Sequence, residues 1–109
     1  MNLQNIKTKL INWDLLLPNK LNGESGNTSW KEFNIESTHI RVAEYSANYI
    51  TAEWCEKGHI IHCVEGEITL HFKNGNKVQL IQRNSVVIAK GDYHKATTEN
   101  LPAMLFVLD

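Results

Sequence analysis

Asn74-Gly75 is the feature that most constrains this chain. A two-residue hairpin turn needs positive φ at its centre, and Asn-Gly supplies it, so two antiparallel strands must flank the pair. The flanks agree. Ile68-Thr69-Leu70-His71-Phe72 precedes the turn and residues 78–81 follow it. Other turn signals recur at Glu65-Gly66, Gly91-Asp92 and Pro102. Between them lie strand-like segments at 40–45, 60–64, 85–89, 93–97 and 103–108. Ile40-Arg41-Val42-Ala43-Glu44-Tyr45 carries the two-residue alternation of a half-buried strand. About eight short strands with turns every 8–12 residues, and no strong helical period, predict an all-β sandwich or barrel.

A chain of 109 residues is long enough for one hydrophobic core and not for two. Its charges are interleaved and sum to −1, so no basic face for nucleic acid is expected. No apolar run approaches the roughly 18 residues of a membrane span. The first 18 residues hold no continuous apolar block and no small-residue cleavage site, which leaves cytoplasmic location as the default expectation. Composition changes near residue 28. Residues 1–28 read as an N-terminal arm or packing segment with one helical turn, and residues 29–109 as the barrel domain. The arm's Trp13 and leucines need a surface to cover, on the barrel's outside or on a second copy. Open sheet edges also need cover, and a homodimer is the expected solution.

The candidate chemistry lies in Glu53-Trp54-Cys55-Glu56-Lys57-Gly58-His59. On a strand, positions 53 and 55 share a face. A three-residue turn at 56–58, with glycine at its left-handed position, would set His59 opposite Cys55, and directly opposed residues face the same way. Taken singly, Glu53 is a solvated strand residue, Cys55 a small core filler and His59 a hydrogen-bonded turn residue. Gathered together, they form a metal-ligand set or a catalytic cluster. The same register makes a disulfide between Cys55 and Cys63 untenable. Their separation along the strands is roughly 13 Å at ~3.3 Å per residue, beyond the ~7 Å Cα limit of a bridge. Two free thiols suit a reducing compartment.

These residues resemble the first motif of the cupin superfamily, in which a glycine and His-x-His are followed by glutamate and then glycine. Here the positions read Glu53-x-Cys55, His59 and Gly66. The second cupin motif, Pro-x-Gly followed by histidine, is similar to Ala89-Lys90-Gly91-Asp92-Tyr93-His94. Within the superfamily the chain looks most like the small DHCW-motif cupins. Gly23-Glu24-Ser25-Gly26 with Trp30, the stretch 41–46, and Trp54-Cys55-Glu56-Lys57-Gly58-His59 carry that likeness. The resemblance implies a single-domain cupin, a double-stranded β-helix or jelly-roll barrel. It also implies a divalent metal held by Glu53, Cys55, His59 and His94. The chain departs from the pattern where Ala52-Glu53 stands in place of Asp-His. Two imidazoles and a carboxylate match the facial triad of non-haem iron. An added thiolate moves the preference to zinc, with iron or nickel next and an empty site as the third alternative.

Two functions follow as expectations. One is a metal-dependent cupin acting on a small polar molecule in the barrel mouth, with Glu53 completing the ion's shell or serving as general base. The other is a non-enzymatic ligand-binding or sensor module with a degenerate site. A Cys55–His59 nucleophile pair ranks below metal binding because it leaves His94 unexplained. By strand parity His62, Trp54 and Tyr93 face away from the site. His39, Glu65 and Glu67 are expected in solvent, Cys63 in a buried wall, and Tyr45, Ile61 and Phe106 as candidate pocket walls. His71 lies on a strand whose register the sequence leaves open. No phosphate-cradling glycine loop and no Gly-x-Ser-x-Gly elbow is present.

Overall fold

The computed structural model describes residues 3–109. Among these residues, nine strands follow a single 3-10 turn at Trp13–Leu15. They are β1 (Asn19–Asn22), β2 (Asn27–Ile35), β3 (Thr38–Tyr45), β4 (His59–Glu65), β5 (Glu67–Phe72), β6 (Lys77–Ile81), β7 (Ser85–Ile88), β8 (His94–Thr97) and β9 (Ala103–Leu108). All pair antiparallel, in a six-stranded sheet ordered β1-β2-β3-β9-β4-β7 and a three-stranded sheet ordered β6-β5-β8. The last strand inserts between β3 and β4, so the chain closes as a jelly roll. The all-β architecture matches the expectation from turn spacing. No helix among the described residues is long and apolar enough to cross a membrane.

Period-two alternation builds the core. On β9 Ala103, Leu105 and Val107 are buried, and on β4 Ile61 and Cys63. They meet Ile68 and Leu70 of β5, Leu80 of β6 and Ile88 of β7. Each large aliphatic side chain there contributes roughly 1.5–3 kcal/mol by leaving water. Three strands cannot cover six. The inner face of β2, β3 and part of β9 is therefore left as the wall of a cavity.

The hairpin expected at Asn74-Gly75 joins β5 to β6, but through residues 73–76 rather than a two-residue turn: of the pair only Gly75 takes positive φ, 95°, and the Asn74 side-chain oxygen accepts from the Asn76 N–H. The β4–β5 joint turns on Gly66, at φ 78°. A Cβ there would press into the Pro102 carbonyl oxygen, whereas one at Gly75 would meet open space. Gly66→Ala is therefore expected to destabilise the fold by about 2 kcal/mol or more. Gly75→Ala is expected to cost about 1 kcal/mol, the left-handed penalty alone. Urea unfolding of the two variants checks this, and equal losses would refute the close-approach argument.

Two expectations change. The hairpin at 56–58 does not form. The chain from 50 to 55 runs instead beside β8, with bridges Ile50↔Thr97 and Cys55↔His94. The division at residue 28 falls inside β2, and Asn19–Asn22 already pair with it. Upstream, Leu10, Leu15 and Leu17 are exposed. Leu3, Ile6 and Ile11 border a hollow with Phe33 and Ile35 of β2.

Candidate metal centre

Cys55, His59 and His94 come together. Their ligand atoms all lie within 4.8 Å of one another, and this is a potential metal-holding group among the described residues. Three elements deliver them. Cys55 and His94 form a directly opposed, doubly hydrogen-bonded pair. The Cys55 N–H donates to the His94 carbonyl at 2.9 Å, and the His94 N–H donates back at 3.0 Å. Opposed residues point to one face. His59 begins β4 with the inward parity of Ile61 and Cys63, opposite buried Ile88. Cys55 Sγ lies 3.4 Å from His59 Nε2. The two imidazoles meet edge to face at 5.4 Å, and Phe72 backs His94 at 6.0 Å.

Each imidazole is oriented by its far nitrogen. His59 Nδ1 lies 2.9 Å from Asp109 Oδ2, with both side chains under a tenth exposed. The same oxygen is 2.8 Å from Arg41 Nη2. A carboxylate between them can only accept, so Nδ1 carries the proton. The 3.5 Å approach of Arg41 Nη2 to that nitrogen is then a contact of two donors rather than a bond. His94 Nδ1 lies 2.8 Å from the Asp92 carbonyl oxygen and must donate to it. Both Nε2 atoms are left facing Cys55, placed to take up the thiol's proton in the metal-free protein or a metal ion in its stead. Imidazole ligands of metals are commonly set up this way, with one nitrogen donating to a carboxylate or carbonyl and the other free for the ion.

The electrostatics agree. Hydrogen bonding of the thiolate with His59, with His94 and with the Lys57 backbone outweighs burial and pulls the Cys55 thiol down to about 5. Burial alone would lower His94, but its bonds to Cys55 and to the Asp92 carbonyl raise it overall. Cys63 behaves oppositely. It is fully buried, burial pushes its thiol up, and its Sγ donates to the Gly66 carbonyl at 3.3 Å. Both cysteines are free.

Glu53 does not join the group. It is exposed, in the bend at 52–53. Between the two bridges, five residue steps on this segment oppose three on β8. Two extra residues are therefore pushed out of register, as in a β-bulge, and the shared parity of 53 and 55 is lost. The expected fourth ligand and general base is thus a solvated carboxylate. Trp54 is 40% exposed and flanked by the ammonium groups of Lys95 and Lys73, at 4.9 and 6.0 Å from its ring centroid. His62 bonds Ser85, His71 bonds Thr97 and His39 bonds Asn34, all away from the centre. Tyr93 turns outward to Glu56, and Glu65 and Glu67 are exposed.

The three ligands sit in the wall of a cavity of about 250 Å³. Tyr45 and Ile61 line it as expected, and Phe106 does not, because Leu105 and Val107 take the inward positions of β9. Burial and the neighbouring Tyr49 raise the Tyr45 phenol, which stays a neutral hydroxyl. Arg41 and Asp109 are the residues that sequence reasoning missed. Asp109 shares parity with Leu105 and Val107, and that signal alone would have pointed it inward.

No family model matches the sequence, and no curated protein matches it. Solved structures do match. The polyketide cyclase RemF of Streptomyces resistomycificus superposes with a TM-score of 0.79 at 15% identity, over 94% of this chain and 78% of that one. Fe(II)-HppE with an alternative substrate gives 0.77 at 13% identity, over 94% of this chain but only 60% of that one. A cupin-like protein of Thermotoga maritima gives 0.68 at 14% identity, over 78% and 69%. At these identities the likeness speaks for architecture, and with the jelly-roll topology and the inward Cys-His-His group it makes this chain a cupin-fold protein.

Proposed function

We propose that this protein holds one divalent metal ion through Cys55, His59 and His94 and uses it to bind or transform a small molecule in the adjoining cavity. The observation that carries the proposal is the orientation of both imidazoles. Asp109 and the Asp92 carbonyl occupy the two Nδ1 positions, and both Nε2 atoms converge on a thiol held near pH 5. The donor set of one sulfur and two nitrogens ranks zinc first, with iron or nickel next. The likeness to Fe(II)-HppE keeps iron in the comparison. Three protein ligands leave room for a further ligand from the cavity side, the arrangement of catalytic rather than structural sites.

A bound ion would supply Lewis acidity at the cavity wall. The chain's own residues supply the rest. Asp109 and the Asp92 carbonyl fix both imidazoles against rotation. Tyr45 offers a neutral hydroxyl, and aliphatic and aromatic side chains narrow the space and limit water.

Metal analysis of the purified protein tests the proposal. The expected content is near one equivalent per chain. Chelation should remove it, and titration with zinc, iron(II) or nickel should restore it. Metal-free protein that takes up none of the three would refute the proposal.

A further inference from the structure

We infer that the cavity takes a small organic monocarboxylate, its anionic end held by the Arg41 guanidinium beside the metal centre. The position next to the ion rests on the metal proposal, whereas the preference for an anion rests on Arg41 alone.

Arg41 stands on the inner face of β3, directly opposite Val107, and lines the cavity. A guanidinium brings five N–H donors and no acceptor. The protein answers few of them. Asp109 accepts at Nη2, and Nε is buried without an acceptor among the described residues. Placing such a group inside a barrel and leaving its donors in surplus is costly unless a ligand completes the set. The surroundings favour an anion. No aspartate or glutamate lines the cavity among the described residues, and Lys57 and Lys95 join Arg41 at its wall, so cations there outnumber the Cys55 thiolate. The Lys95 ammonium also packs over the Trp54 ring.

Two further features narrow the class. Asp109 already neutralises part of the guanidinium charge, which suits one negative charge better than two. The remaining wall, including Trp30, Tyr49, Ile61 and Leu105, suits an apolar or aromatic body, and about 250 Å³ limits its size. A planar carboxylate also matches the planar fork of arginine.

Calorimetric titration with matched pairs tests this: benzoate against benzamide and isobutyrate against isobutyramide. Each pair is run on zinc-loaded protein, on chelator-treated protein and on Arg41→Lys. At least one carboxylate is expected to bind about tenfold tighter than its amide, with or without zinc. Arg41→Lys should keep its zinc content and lose most of that discrimination. Equal binding of acid and amide would overturn the inference, as would no carboxylate binding up to about 10 mM. A preference that needs zinc and survives Arg41→Lys would also overturn it, by assigning the anion to the ion alone. Should the chain retain no zinc, the metal proposal fails, and the comparison on metal-free protein still decides the inference.

Discussion

His94→Ala is expected to abolish stoichiometric metal retention, and Asp109→Asn to weaken zinc affinity by about 10–100-fold, a loss of about 1.4–2.7 kcal/mol. The first removes one of three ligand atoms. The second removes none, and its effect must pass through His59. An asparagine can still accept from Nδ1 through its amide oxygen, but without charge, so the imidazole becomes a weaker and less fixed ligand. Asp92→Asn provides the contrast. His94 donates to the Asp92 backbone carbonyl, and the carboxylate acts on the ring only as a lesser charge, so this exchange should change zinc affinity far less. Competition titration against a chromophoric chelator measures all three variants. Thermal melts of the metal-free forms separate loss of affinity from loss of fold, since Asp109→Asn also deprives Arg41 of its partner. Stoichiometric zinc in His94→Ala, or equal affinities for Asp109→Asn and Asp92→Asn, would sink the assigned geometry.

Most of the architecture is legible in the sequence because it is written in short-range signals. Gly75 specifies its hairpin through φ, and the alternation in Ala103–Leu108 specifies a half-buried strand. Three of the four expected ligands also come together, although the route differs. Cys55 was expected to pair with His59 across a local turn, and it pairs with His94 on a strand distant in sequence. Local turn chemistry cannot reveal such a pairing. Nor can it reveal the two residues bulged out at 51–54, which is why the parity argument failed for Glu53 while His94, placed by the motif likeness, joined the group. Arg41 escaped for a different reason. In β3 the period was evident but the face was not. Ile40 and Val42 look like the core side, yet the inner face carries Arg41, Ala43 and Tyr45, because there the strand faces a cavity rather than a packed layer.

In metal-free protein Cys55 is expected to be alkylated by iodoacetamide at a rate nearly independent of pH from 6 to 9. The sign follows from the depressed thiol. Hydrogen bonding with His59 and then with His94 holds it near 5 instead of 9.0, so the nucleophilic thiolate predominates above pH 5 and is lost only below it. At pH 7 about 99% is thiolate, against about 1% for a thiol titrating at 9. The rate advantage is smaller than that ratio, because nucleophilicity falls with basicity. An ordinary cysteine would accelerate about tenfold per pH unit over much of the same range. Cys63 is the internal control, being fully buried with its thiol raised. Peptide mass spectrometry at pH 6 should therefore find the label almost wholly on Cys55. Zinc should suppress the labelling by occupying the same sulfur, and His59→Asn should move the midpoint upward by removing the strongest hydrogen bond to it. A Cys55 profile that climbs toward a midpoint near 9 would mean that the imidazoles do not reach the sulfur, and the metal centre would lose its chemical basis along with the thiolate.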